Sequence, residues 1–478
     1  MSKALSASAR EPSRKAAASV STTGLMGFVA RLHFYIGLFV GPFLFVAALT
    51  GTLYALTPQI ERLIYSDQLT TPSTGTAQPL SAQAEAARRV VGEDLRLFAV
   101  RPAPEPGTTT RVMFADPALG PSETRAIFVD PVTLDVRGDL TAYGTSGILP
   151  FRITLDYLHR SLMLGDWGRA YSELAASWLW LLALGGIVLW ARRRTGRAAH
   201  ANPANTSLRV RRLHGITGVV LSVGLLFLSA TGLTWSQWAG DRIGELRGAL
   251  GWTTPSVTLA LEGSQGRGMV GDHAHHGAMG MTMPAGASEP AVDPAGRLDG
   301  VLSAAQAGGI DASLVEIRPS DPGEAYVVRE IDRSWPSQVD TVAVDPATMA
   351  ITSRADFADF GLVAKLVQWG VAAHMGILFG LANQIAVVAL GIGTMALTVY
   401  GYRIWWRQRP APGNASRTLT DAWMRMRPAT RIAVLAVAAA LGWALPVLGA
   451  SLLAFLAIDL LRWGLARRGL GRPQSAAG

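Results

Sequence analysis

The chain has no cysteine. That absence excludes disulfides, cysteine-held iron–sulfur clusters, thiolate haem ligation and covalent c-type haem attachment. Any haem would take His, Met or Tyr ligands. Charge is scarce too: Asp, Glu, Lys and Arg make up 16% of residues, against 49% apolar. This balance excludes an ordinary soluble enzyme and fits a membrane protein with some soluble mass. No Ser/His/Asp set, H-E-x-x-H motif or phosphate-binding loop occurs, so hydrolase and ATPase chemistry have no support and no catalytic residue is assigned. The net charge of +9 does not point to nucleic acid. The arginines stand beside apolar runs, where the positive-inside rule accounts for them.

What is present is a set of apolar runs long enough to cross about 30 Å of hydrocarbon. The first span is placed within 28–57, with its apolar core at 34–57, and is read as an uncleaved anchor. The others fall at 172–191, 214–235 and 381–404. Residues 431–463 form a further run, interrupted by Pro446 and flanked by arginines on both sides. It is read as a hairpin of two short spans, with one long tilted span as the alternative. The loop 192–213 holds Arg192, Arg193, Arg194, Arg197, Arg209, Arg211 and Arg212 and no acid. It is therefore cytoplasmic, as are the tail 1–27, the loop 405–430 and the tail 464–478. Both termini are expected in the cytoplasm of a bacterial inner membrane. The connections 58–150 and 236–355 mix charge signs and are placed in the periplasm.

The chain repeats itself. Arg31-Leu32-His33 precedes Gly37 and, later, Thr50-Gly51; Arg212-Leu213-His214 precedes Gly218 and Thr231-Gly232 at the same intervals. Val129-Asp130-Pro131-x-Thr133 returns as Val344-Asp345-Pro346-x-Thr348. Equal stretches lead from Asp130 to His159 and from Asp345 to His374, and a glycine follows each histidine by six residues, Gly165 or Gly380. The second copy is longer by a Gly/Met/His-rich insertion at 263–292, read as a loop. Each copy is span, outer domain, histidine-bearing helix (151–171 or 356–380), span. Both copies start in the cytoplasm, so the repeat is parallel, about an axis along the membrane normal.

Each outer domain reads as a short amphipathic helix followed by alternating strands, with the Asp-Pro-x-Thr turn before the last. The expected fold is thus a polytopic α-helical membrane protein with a tandem parallel repeat and two periplasmic α+β modules. The helix, the strands and the V-Asp-Pro-x-Thr turn resemble PepSY modules. Together with the R-L-H-x-x-x-G spans and the later histidines, the chain resembles the PepSY-associated transmembrane family of iron-uptake-linked proteins over about residues 28–406. The resemblance implies reduction of a ferric siderophore or similar metal chelate in the periplasm. The electron donor would be a quinol or a cytoplasmic reductant.

A parallel twofold repeat sets His33 opposite His214 and His159 opposite His374. Two facing imidazoles are what a six-coordinate b-type haem needs, so two bis-His haem b groups are expected. Arg31, Arg212 and Arg160 are candidate partners for haem propionates. A non-haem metal, a proton relay and interfacial snorkelling remain the alternatives for these histidines. A second metal signal lies in the insertion, where His273, His275 and His276 precede Met279, Met281 and Met283, a set suited to copper(I) or, with Asp272, to divalent ions. A flexible loop is the plain alternative there. His200 falls in a cytoplasmic loop. Two further readings stand beside the reductase: a membrane-anchored PepSY-type binding or regulatory protein without redox activity, and a metal or siderophore permease. Spans one to four show neither paired charges at mid-membrane nor a broken helix, which counts against the permease.

Overall fold

A computed structural model describes residues 14–195, 206–261, 269–270, 294–409 and 418–470. His200 and the candidate metal stretch from His273 to Met283 lie outside the described residues. The first half runs α1 (Arg14–Phe39), α2 (Gly41–Ala55), α3 (Thr57–Ile64), α4 (Ser66–Leu69), α5 (Leu80–Val91), β1 (Arg96–Arg101), β2 (Thr110–Ala115), β3 (Glu123–Val129), β4 (Val136–Tyr143), α6 (Pro150–Ser161) and α7 (Gly165–Thr195). The second half runs α8 (Thr206–Thr234), α9 (Trp238–Ala249), α10 (Leu298–Ala307), β5 (Val315–Arg318), β6 (Tyr326–Glu330), β7 (Thr341–Val344), β8 (Ile351–Ala355), α11 (Leu362–His374) and α12 (Gly380–Gln408). The helices α13 (Leu419–Met424), α14 (Pro428–Ala444) and α15 (Pro446–Leu470) close the chain.

Among the described residues, four helices are long and apolar enough to cross a membrane: Gly165–Arg192, Leu208–Thr234, Gly380–Gln408 and Pro446–Arg467. The pair Gly24–Phe39 and Gly41–Ala55 makes a fifth candidate, bent by 56°. The helices run past the apolar cores into turns carrying Arg and Trp, whose long side chains tolerate an interface. The run after residue 428 breaks at Leu445–Pro446 into two helices, and a Cβ on Gly449 would lie 2.7 Å from the carbonyl oxygen of Gly442. Glycine at both positions lets the two backbones meet.

The bend in the first span corrects the expectation of an unbroken helix. Its cause is local. Pro42 stands in the first turn of α2 and has no N–H to return to the carbonyl of Leu38, four residues earlier. The flanking bonds survive, Val40 to Ile36 at 2.8 Å and Leu44 to Val40 at 3.0 Å. The freed carbonyl of Leu38 instead accepts from the hydroxyl of Tyr402. Gly41 permits that approach, since a Cβ there would sit 3.1 Å from the Tyr402 ring. In α8, Val223 occupies the position that Pro42 holds in the first span, counted from the Arg-Leu-His landmark, and α8 is continuous.

The chain divides into two compact units. Met1–Ala48, Leu164–Arg242 and Ile392–Gly478 form one; Leu49–Met163 and Ile243–Gly391 form the other. The second contains the sheet. The sequence leads one to expect a separate sheet in each outer domain, but eight strands join into one antiparallel sheet in the order β8-β7-β6-β5-β1-β2-β3-β4, and the short strands Val257–Thr258 and Met269–Val270 pair separately. The joint is the pairing of Val100 in β1 with Ile317 in β5. One face packs Val112, Phe114, Ile127, Ile317, Val328 and Val342 under α5 and α10. Period-two alternation puts those side chains on one side. Glu316, pointing the other way and wholly buried, bridges the joint: it pairs with Arg101 at 2.6 Å, Arg318 at 2.6 Å and Arg329 at 2.7 Å. Burial alone would raise its pKa, but the three guanidinium groups hold it well below the usual carboxylate range.

Both Asp-Pro turns close in the same way. The backbone N–H of Leu134 returns to the Asp130 carbonyl at 3.0 Å, and that of Met349 to Asp345 at 2.8 Å. Leu134 (φ 66°) and Met349 (φ 59°) both occupy the left-handed region.

Candidate functional site

His33 and His214 lie in the first unit, on α1 and α8, and each directly follows an Arg-Leu pair. The structure brings their rings together, with centroids 6.4 Å apart and planes at 79°. An imidazole nitrogen binds a metal at about 2 Å and half a ring adds about 1 Å, so one ion between two imidazoles sets the centroids about 6 Å apart. The observed spacing meets that requirement. His214 Nδ1 lies 3.2 Å from the backbone carbonyl of Leu397 on α12. A carbonyl only accepts, so Nδ1 carries the proton and Nε2 keeps the lone pair that a metal takes.

Two glycines flank this pair. A Cβ on Gly186 would lie 3.4 Å from His33 Cε1, and one on Gly401 would lie 3.8 Å from His214 Cε1. Gly186 follows His159 by the same interval at which Gly401 follows His374. The space beside each of these imidazoles is therefore kept clear by residues in matching places.

His159 and His374 lie in the second unit, at the ends of α6 and α11. His159 Nδ1 meets the hydroxyl of Thr50 on α2 at 3.0 Å. The next residue, Gly51, lets the ring in: a Cβ there would lie 3.0 Å from His159 Cε1. Burial pushes the His374 imidazole down to about 4, and the neighbouring His159 adds to the shift. His374 is thus neutral at pH 7, the form that ligates. After each helix the chain reverses through left-handed residues, Leu162, Met163 and Gly165 in the first case and Gly376 and Gly380 in the second. Gly165 (φ 60°) and Gly380 (φ 55°), the glycines six residues past each histidine, need that freedom. On α12, Gln384 donates to the carbonyl of Ala55, where α2 ends.

The candidate propionate partners differ in their surroundings. Arg31 is half-buried and Arg212 exposed. Arg160 is occupied: it lies 3.7 Å from Asp156, donates to the Tyr143 hydroxyl at 2.7 Å and stacks over the rings of Tyr143 and Tyr157. A cation that the sequence did not single out is Arg152, on the same helix as His159. It is 8% exposed, and its Nε and Nη2 are buried with no hydrogen-bond partner among the described residues.

The donor chemistry can be tested against the alternatives. Among the described residues, no group of three or more His, Asp or Glu side chains gathers to hold a metal ion. Each pair supplies two imidazoles, whereas a bare tetrahedral ion wants three or four protein ligands. A group that brings its own equatorial nitrogens needs two, which is haem. The glycine clearances and the two unbonded donors of Arg152 fit a flat ring with carboxylate arms.

Among the described residues, two buried acids, Glu173 and Asp459, lie in apolar helices, and both act as caps. Glu173 on α7 accepts from the backbone N–H groups of Trp238 and Ala239 at 2.9 and 3.1 Å, at the start of α9. Asp459 on α15 accepts from Leu419 and Thr420 at 2.9 and 2.7 Å, at the start of α13. Satisfying helix N-termini accounts for both without a transport role.

Sequence reasoning picks out Thr50-Gly51 as a landmark but gives it no task; the structure sets it against His159. Gly186 and Gly401 carry a usable signal, because their spacing follows that of the histidines. Residues 30–408 match the family model described as the PepSY-associated TM region. No curated protein matches the chain.

Proposed function

The chain belongs to the PepSY-associated transmembrane family, and from that premise we propose that it is a di-haem b protein of the bacterial inner membrane that reduces a ferric siderophore or similar metal chelate in the periplasm. His33 with His214 would hold one haem and His159 with His374 the other. The observation that carries this reading is the 6.4 Å approach of His33 to His214.

Held by these imidazole pairs, a haem would supply one-electron transfer rather than oxygen binding. The protein's own part is positioning. Leu397 and Thr50 orient the two rings through Nδ1, so Nε2 of His214, and Nε2 of His159 with Thr50 accepting, would be the ligating nitrogens. Gly51, Gly186 and Gly401 keep bulk away from the imidazoles. The electron donor is a quinol or a cytoplasmic reductant, and the acceptor is the chelated iron. One electron turns iron(III) into iron(II), which hard oxygen donors hold less tightly, so the metal is released.

In this reading the halves are a tandem parallel repeat and the sheet is two PepSY modules joined edge to edge. The matching places of Gly165 and Gly380, Leu134 and Met349, and Gly186 and Gly401 support it. Both termini lie in the cytoplasm, as the arginine-rich loops require. The broken first span does not favour a permease, because the carbonyl freed by Pro42 is taken by Tyr402 instead of facing an ion path.

The test is spectroscopic. Purified after expression with ample haem, the protein should show sharp reduced bands and two haems per chain. Once reduced, it should be reoxidised by ferric chelate, with two iron(II) trapped per chain. A colourless protein, or a haem protein that no ferric chelate reoxidises, contradicts the reading.

A further inference from the structure

Arg152 stands seven residues before His159 on α6, so the two share a helix face about 10 Å apart along the axis. On α2, Thr50 and Tyr54 are four residues apart and also share a face. Thr50 meets His159 Nδ1, and the Tyr54 ring lies 4.5 Å from the Arg152 guanidinium carbon. The same two helix faces therefore hold the histidine and the arginine in register.

The guanidinium is incompletely satisfied. Nε and Nη2 are both buried and have no hydrogen-bond partner among the described residues. Glu61 interacts electrostatically with Arg152 and accepts from the backbone N–H of Leu149 at 3.2 Å. An arginine cannot shed its proton to escape burial, so a buried guanidinium with two idle donors marks the place of an absent anion. Nε and Nη2 form one edge of the fork, with two parallel N–H groups spaced to meet the two oxygens of a carboxylate.

We propose that Arg152 binds a propionate carboxylate of the haem held by His159 and His374, through Nε and Nη2. The proposal rests on the haem reading above and replaces Arg160, whose guanidinium already pairs with Asp156 and donates to Tyr143. It is also asymmetric. Seven residues before His374 stands Val367, so α11 offers no matching cation, and the arginine stands on one side of that haem only.

The test uses the full-length haem-loaded protein and its Arg152→Gln and Arg152→Lys variants, read by haem content and potentiometric titration. A cation beside the propionate favours the reduced haem, so R152Q should lower one midpoint potential. The haem affected should be the one lost in His159→Ala. The other potential should stay in place, and R152K should recover part of the shift. Should R152Q fail to assemble, R152K carries the test: an ammonium cannot make the two-point contact, so the same potential should fall by a smaller amount while the other stays in place. Two haems with unchanged potentials in R152Q, or in R152K where R152Q does not assemble, overturn the assignment and leave the haem reading intact. So does an R152Q variant that keeps both potentials but binds ferric chelate more weakly, which would give the guanidinium to the substrate. A wild-type chain without haem overturns both.

Discussion

The Tyr402 hydroxyl donates to the backbone carbonyl of Leu38, the group that Pro42 leaves without its helical partner. A side chain from α12 thereby repairs the break between α1 and α2. Tyr402→Phe should lower stability by about 1 kcal/mol, the usual net value of one hydrogen bond. In a Pro42→Ala background, residue 42 regains its N–H and the same substitution should have almost no effect. Thermal unfolding of the four proteins in detergent gives the coupling. An equal loss in both backgrounds would show that the hydroxyl does not serve the freed carbonyl.

Gly51 is tight against His159. An added methyl would sit 3.0 Å from Cε1, so the ring would have to yield by a few tenths of an ångström. Gly51→Val should displace His159 and remove one haem, the one also lost in His374→Ala, while the His33–His214 haem persists. Gly51→Ala should have a smaller effect of the same kind. Absorbance per chain measures it, and wild-type haem content in Gly51→Val would refute the close approach.

Glu316 is buried among Arg101, Arg318 and Arg329 at the joint of the sheet. Glu316→Gln removes the one anion and leaves three buried cations facing one another. Losses of roughly 3–5 kcal/mol are typical when one partner of a buried ionic group is removed. A shift in melting temperature of only a degree or two would mean that solvent reaches this cluster.

Asp130 carries a pH signature. Burial works to raise its pKa, but hydrogen bonds from Ser73, Thr71 and the N–H groups of Val132 and Thr133 hold it down to about 2. A carboxylate depressed in the folded state stabilises above its unfolded pKa of about 4 and loses that contribution as pH falls towards 2. At neutral pH the contribution is about 2 kcal/mol. Asp130→Asn should therefore weaken the protein at pH 7 and flatten the stability curve between pH 4 and 2. An unchanged slope in that window would contradict the hydrogen-bond account.

Much of this architecture is legible from residue order. Apolar length and arginine placement locate the spans, because no other signal in a bilayer is as strong. The doubled Arg-Leu-His landmark pairs His33 with His214, and the rings do meet. The bend at Gly41–Pro42 is less legible, since the apolar run continues through it and hydropathy carries no angle. The joining of the strands into one sheet depends on a single pairing, Val100 with Ile317, and nothing in the strand pattern names an edge partner. Arg152 carries little signal by itself, because an arginine on an amphipathic helix usually faces solvent. Its seven-residue spacing from His159 is the feature that marks it.

The most direct measurement is the haem content of the four single variants His33→Ala, His214→Ala, His159→Ala and His374→Ala, each read by reduced absorption bands and potential. The account predicts that each retains one haem per chain, that the first two variants lack the same haem, and that the last two lack the other. If His33→Ala and His214→Ala deplete different haems, or if all four keep two, then the imidazoles that meet at 6.4 Å do not share an iron.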